Sequence, residues 1–215
     1  YENCDLLDEK EYFRGLRPPL EAQIIDVADE IAYNNHDIDD GLKAGYINLE
    51  QLEKVEIWKE TFDMVGKKYP SLDERRHVYQ TISYLIGALI DDVVDHTRRN
   101  LAAQGILSLA DVRQAPARLL AFHPETLAQT QQLKSFLRKY LYRHFMVERM
   151  RIKAEFFIIR IFDSYAAHPS LLPGNYQQRI ERFGKERVIC DYIADMTDRY
   201  AMDEYRKLFE PFERA

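Results

Sequence analysis

Leu20-Glu-Ala-Gln-Ile-Ile-Asp-Val-Ala-Asp-Glu-Ile-Ala-Tyr-Asn-Asn-His-Asp-Ile-Asp-Asp-Gly-Leu42 is the stretch that decides the fold class. Its apolar residues recur at intervals of three and four. At ~100° per residue Leu20, Ile24, Val27, Ala28, Ile31, Ile38 and Leu42 gather in one arc, the face expected to pack on a core. Asp26, Asp29, Tyr33, Asp37 and Asp40 fall together on the opposite arc, with Glu30 at its edge. The spacing predicts one long amphipathic helix from about Pro19 to Leu42. Proline suits its first turn, where the donor it lacks has no partner anyway, and Gly45 suits its end.

The same periodicity runs outward along the chain. Asn48 with Gln51, and Ser71 with Glu74, have the spacing of capping boxes and open helices expected to reach about Lys68 and Gln104. A short helical turn is expected around Ala110 to Gln114. A long helical stretch, broken once, is expected over 125–167, and two or three shorter helices after it. Before the first helix, Tyr12, Phe13 and Leu16 are able to dock on a core. No alternating strand of convincing length, internal repeat or low-complexity linker interrupts this texture. The expectation is all-α: a multi-helix bundle forming a single lobe over 1–215.

Composition narrows the function classes. With 30 basic and 36 acidic residues among 215, the net charge is −6, which argues against a broad nucleic-acid-binding surface. The apolar runs are too short to span a membrane. Cys4 and Cys190 make neither a disulfide framework nor a zinc site, and no leader peptide is read at the start, so a cytoplasmic location is expected. The chain opens on Tyr1 rather than methionine, and an excised piece of something longer is expected.

The acidic face of the first helix is the leading candidate site. Asp29, Tyr33 and Asp37 stand at i, i+4 and i+8, so two carboxylates flank a tyrosine on one helix face. Such a row can hold a divalent metal at one end and a polar ligand at the other. The plain alternative is a solvated acidic surface. Against it, Asp26 and Glu30 repel at i, i+4, and no lysine or arginine lies between Glu21 and Leu42. Relief must come from a bound cation or from basic groups elsewhere in the fold.

The 20–42 run closely resembles a signature of the deoxyguanosinetriphosphate triphosphohydrolase-like proteins, within the HD-domain superfamily. Val188-Ile-Cys-Asp-Tyr-Ile-Ala-Asp-Met-Thr-Asp-Arg-Tyr-Ala201 resembles a second signature of the same family. The resemblance implies a metal-dependent hydrolase, using magnesium or manganese, that cleaves a dNTP such as dGTP to a deoxynucleoside and inorganic triphosphate. It also implies a symmetric homo-oligomer. Carried over residue by residue, Asp29 matches the last metal ligand, Tyr33 a tyrosine packed on the deoxyribose, and Asp37 a carboxylate accepting the sugar 3′-hydroxyl. The family's upstream histidine and His-Asp metal pair have no counterpart in this sequence. His36-Asp37 lies inside the sugar-contacting match and is not that pair, so His36 is read as assisting or structural. The expectation is therefore a C-terminal portion with an incomplete metal site, catalytically silent by itself.

Three other constellations stand beside it. Lys134, Arg138 and Tyr142 at i, i+4 and i+8, followed by Arg143 and His144, form a basic stripe ending in an aromatic, suited to phosphates and a base. The Tyr142-Arg143-His144 triplet resembles a substrate-side segment of related triphosphohydrolases. Asp91, Asp92 and Asp95 resemble the aspartate-rich motif of isoprenoid synthases, a minor alternative; Asp95 with Arg99 also has the spacing of a surface ion pair. In the second signature Val188, Ile189, Tyr192, Ile193 and Met196 read as core and Cys190 as a buried small hydrophobe. Asp195 stands where many members carry glycine. A different class remains open, a non-catalytic helical module for oligomerisation or interaction, with contacts from the aromatic helices after Gln131.

Overall fold

The predicted first helix is present as α1, Leu20–Lys43, closed by Gly45 in the left-handed region at φ +70°. The computed structural model describes residues 15–212 and shows only helices, turns and irregular segments among them. Tyr12, Phe13 and Cys4 lie outside the described residues, and Leu16 is exposed rather than docked. The chain divides into two compact units, residues 1–143 and 144–215.

In the first unit α1 is followed by α2 (Leu49–Leu52), α3 (Glu56–Lys68), α4 (Glu74–Ala103), α5 (Leu109–Gln114) and α6 (Pro124–Tyr140). Both α4 and α6 pack against α1 and α3. Ile38, Leu52, Trp58, Leu85, Leu133 and Leu137 fill the space between them. The capping box of Asn48 and Gln51 is present, yet its helix stops after one turn. Gln132 of α6 stitches the break: its Oε1 accepts from Glu56 N–H at 3.0 Å and its Nε2 donates to the Lys54 carbonyl at 3.2 Å. These two bonds satisfy backbone groups that a continuous helix would have paired internally. The cap of α4 is also not the expected Ser71. Asp73 accepts from Arg76 N–H at 2.8 Å and starts the helix two residues later.

The buried face of α1 differs from the apolar arc. Ile31 and Ile38 are buried, but so are Gln23, Asn34 and Asn35, while Ile24 and Ala28 stay exposed. Gln23 explains the shift. Its Nε2 donates to the Pro18 carbonyl at 2.8 Å, and its Oε1 accepts from the N–H groups of Leu119 and Leu120 at 3.1 and 3.3 Å. An amide with partners on both its oxygen and its nitrogen is buried at a much reduced desolvation penalty, and it draws the 118–120 segment against α1.

The second unit contains α7 (Phe145–Ala167), a 3₁₀ turn (Pro169–Leu171), α8 (Gly174–Gln177), α9 (Ile180–Phe183), α10 (Lys185–Ala194) and α11 (Asp198–Phe209). The expected break in 125–167 falls between α6 and α7. Val188, Ile189 and Tyr192 of α10 are buried with Ile161, Tyr165 and Leu172, and Ile193 and Met196 pack on the same cluster. Cys190, read as buried, is exposed. It neighbours Ile189 in sequence but lies ~100° round the helix, off the buried face. Asp195 ends α10 with ordinary right-handed backbone and accepts from the Tyr176 hydroxyl at 2.7 Å, so the position accepts a side chain. No helix among the described residues is long and apolar enough to cross a membrane.

Candidate active site

Between α1 and the α6 end of the first unit lies an open cleft of about 720 Å³. Asp26, Asp29, Glu30 and Tyr33 of α1 form one wall; Lys134, Arg138, Tyr142 and Arg143 form the other. Helix α1 presents its residues at four-residue steps, and α6 presents Lys134 and Arg138 in the same way. Tyr142 follows the helix in a turn, its N–H donating to the Leu137 carbonyl at 3.0 Å.

Basic groups from elsewhere do relieve the repulsion along α1. Arg118 pairs with Asp26 at 2.8 Å and also donates to the Gln23 carbonyl; Lys134 pairs with Glu30 at 3.1 Å. That leaves Asp29 as the cleft carboxylate with no ion pair or hydrogen bond among the described residues. The cleft thus combines one uncommitted carboxylate with a cationic wall, a charge pattern suited to a phosphorylated ligand.

The aromatic end of the cleft is built by Tyr33 and Tyr142, whose ring centroids are 6.4 Å apart and tilted by 46°. The Tyr142 hydroxyl donates to Asp37 Oδ2, joining residues 105 apart in sequence. Burial, and then the adjacent Asp37 carboxylate, raise the Tyr142 phenol well above its ordinary pKa, so it stays a neutral donor. Asp37 reaches this end through Tyr142 and is not itself part of the cleft lining. His36 is exposed and also outside the lining. The structure therefore brings together Asp29, Tyr33, Lys134, Arg138 and Tyr142, with Asp37 behind them and His36 apart.

Arg118 was not singled out by the sequence. Its only signal was the absence of any lysine or arginine along α1, which called for cations from outside the helix. The aspartate-rich segment, by contrast, has a structural use. Both oxygens of Asp92 are engaged, accepting from His123 N–H at 2.9 Å and from Thr126 Oγ1 at 2.8 Å at the start of α6. Asp95 pairs with Arg98 at 3.8 Å instead of the expected Arg99.

Comparison with known proteins finds relatives that match most of this chain. The deoxyguanosinetriphosphate triphosphohydrolase-like protein of Geobacter sulfurreducens is 52% identical over 95% of this chain and 53% of its own length. That of Geobacter metallireducens is 51% identical over 95% and 53%, and that of Thiobacillus denitrificans 48% identical over 96% and 55%. The chain is homologous to the deoxyguanosinetriphosphate triphosphohydrolase-like proteins. It spans about half the length of these curated relatives. Residues 120–207 match the phosphohydrolase-associated domain, which takes in the cationic wall, α7 to α10 and most of α11, while the carboxylates of α1 precede it. The spans matched in these relatives take in the segments that form both walls of the cleft.

Phosphohydrolases of the HD superfamily are generally metal-dependent, so the donor set matters. Among the described residues no three His, Cys, Asp or Glu side chains converge as a metal cage. Asp26 and Glu30 are already paired with cations, and Asp29 offers a single carboxylate. The described residues do not by themselves fit a held divalent ion, which needs several oxygen ligands.

Proposed function

We propose that this chain is part of a metal-dependent dNTP triphosphohydrolase of the dGTP type, with the cleft between α1 and α6 as its share of the active site. The observation that carries the reading is uncommitted Asp29 facing Lys134, Arg138 and Arg143 across one cleft, with Tyr33 and Tyr142 beside it. Water adds to the α-phosphorus, the bond to the 5′-oxygen breaks, and the products are a deoxynucleoside and inorganic triphosphate. The three cations take up charge on the triphosphate. Tyr33 packs on the deoxyribose, while Asp37, which stands behind Tyr142, is given the sugar 3′-hydroxyl by the resemblance of the 20–42 run alone. Asp29 would be one ligand to a magnesium or manganese ion, the other ligands coming from the portion of a family-length protein outside this chain, and that ion would supply charge neutralisation at the phosphate. The reading takes the protein to be cytoplasmic, as a dNTP substrate suits.

Dual assays of dGTP hydrolysis test this, one on the 215-residue chain and one on the same sequence carried in a family-length protein. The chain alone should be silent and the family-length protein active, releasing triphosphate. Asp29→Ala should then lower activity on the order of 10²-fold or more. Turnover by the chain alone, or full activity in the Asp29→Ala protein, overturns the assignment.

A second reading, self-association, is favoured by an exposed apolar stripe along α7. Phe145, Ile152 and Ile159 stand seven residues apart with Phe156 between them, and all four are exposed. That is the spacing of a helix-pairing seam, and a second copy of the chain carries the same stripe.

A further inference from the structure

Where α3 meets α4, three side chains outside the cleft lining form a short chain of hydrogen bonds. Lys68 Nζ donates to the Tyr84 hydroxyl oxygen at 2.7 Å, and the Tyr84 and Tyr69 hydroxyls share a bond at 2.9 Å. Lys68 is the last residue of α3, Tyr69 caps it, and Tyr84 stands in α4. The two rings are 6.3 Å apart, centre to centre, and tilted by 51°. The Lys68 ammonium stands 5.6 Å from the Tyr69 ring centre and 4.9 Å from that of Tyr84. Both tyrosines are half-buried. Their helices are pinned together by Phe62 and His77, whose rings stack at 3.8 Å while a His77 ring nitrogen bonds the Phe62 carbonyl at 2.9 Å. The bond from Lys68, and then that from Tyr69, lower the Tyr84 phenol; the bond to Tyr84, and then burial, raise Tyr69. One ring of the pair is thus the easier to ionise, and a phenolate gives up an electron more readily than a phenol.

We propose that Tyr69 and Tyr84 are an oxidative modification site, closed by a carbon–carbon cross-link between their rings, with Lys68 preparing Tyr84 for the first electron loss. The co-reactant is two equivalents of a one-electron oxidant, of the class that peroxide chemistry generates. Each phenol loses one electron to the oxidant and its hydroxyl proton to solvent. The two phenoxyl radicals then form one bond between ring carbons ortho to oxygen. The hydrogens on those two carbons move to the oxygens, which restores both phenols, so the net loss is two electrons and two protons. Proximity makes the coupling efficient, because the hydroxyl bond already holds each ring beside its partner. Other tyrosine pairs differ in chemistry. The Tyr192 and Tyr200 hydroxyls also share a bond, at 3.1 Å, but burial, that bond and the Glu204 carboxylate all raise the Tyr192 phenol. In the cleft, Tyr142 commits its hydroxyl to Asp37. The inference does not rest on the reaction proposed for the cleft.

Oxidation of the 215-residue chain at low concentration by a photo-excited ruthenium tris-bipyridine complex, with persulfate taking the electrons, tests the proposal. Dityrosine fluorescence should rise while the chain keeps its monomer mass less two hydrogens. Peptide mapping should place the link between residues 69 and 84 ahead of every other tyrosine pair. Tyr69→Phe and Tyr84→Phe should each abolish that link. Lys68→Met should lower its yield severalfold, since the ammonium no longer favours the phenolate, and Lys68→Arg should restore it. A merely structural lysine would not show this split between the two variants. A link between 33 and 142, or between 192 and 200, that matches or exceeds the one at 69 and 84 overturns the proposal. So does a yield that Lys68→Met leaves unchanged, and so does dityrosine formed only between chains.

Discussion

Tyr142 connects the two walls of the cleft, and its chemistry is fixed by what surrounds its hydroxyl. Burial and the Asp37 carboxylate both disfavour the phenolate, so the folded chain holds this proton more tightly than the unfolded chain does. The stabilisation is fully present below the ordinary tyrosine pKa of about 10 and is lost as pH rises past it, because the unfolded state ionises first. Tyr142→Phe should therefore cost about 1 kcal/mol near neutral pH, as expected for one bond to a charged acceptor at a half-buried site. It should also flatten the decline in stability between about pH 8 and about pH 11 in urea unfolding. A decline of unchanged steepness would refute this, allowing that Tyr165, whose phenol is raised in the same direction by burial and Glu204, keeps part of it. Sequence spacing put Tyr142 on a stripe with Lys134 and Arg138. Nothing in it revealed the bond to Asp37, because no local pattern encodes a contact 105 residues long. Cys190 marks the opposite limit: an apolar residue beside buried neighbours was read as buried, and a rotation of one helical step put it outside.

At the scale of the element, Gly41 shows how packing overrides propensity. A methyl group at this helical position would stand 3.0 Å from Ile47 Cδ1 and 3.1 Å from Leu141 Cδ1, and both neighbours are buried with nowhere to retreat. Gly41→Ala should destabilise the chain by about 1 kcal/mol or more, the overpacking outweighing the helix-propensity gain. Gly87 in α4 meets nothing within 4 Å, so Gly87→Ala should stabilise by roughly 0.5 to 1 kcal/mol. Thermal unfolding of the two variants checks both signs, and a stabilised Gly41→Ala would contradict the crowding. Most helix starts and stops were legible because proline, glycine and capping residues act locally. The break after α2 was not, since the groups that satisfy it belong to Gln132. The buried side of α1 was misjudged for a related reason. An amide such as Gln23 counts as polar in any periodicity, and only its partners at 18 and 119–120 make its burial tolerable.

For the molecule as a whole, each unit has its own core, and the second leaves the apolar α7 stripe exposed. The α7 stripe predicts association between copies. Sedimentation of the chain at rising concentration should show a mass increase, and the double variant Ile152→Glu, Phe156→Glu should hold it at the monomer mass. A concentration-independent monomer, or association that ignores the double variant, would sink the idea. The all-α class and the likeness to the triphosphohydrolase-like proteins were legible from two helical signatures. The cleft was legible only in halves, because its carboxylates and its cations lie on segments that only the fold brings together.

The way α4 holds α6 bears on how a knock-out at Asp92 is to be interpreted. Asp92 spends both oxygens anchoring the first turn of the helix that carries Lys134 and Arg138. Removing it would loosen a whole wall of the cleft from a distance. An inactive Asp92 variant is thus no witness for chemistry at the aspartate-rich segment, however much that segment looks like a metal-diphosphate motif on the page.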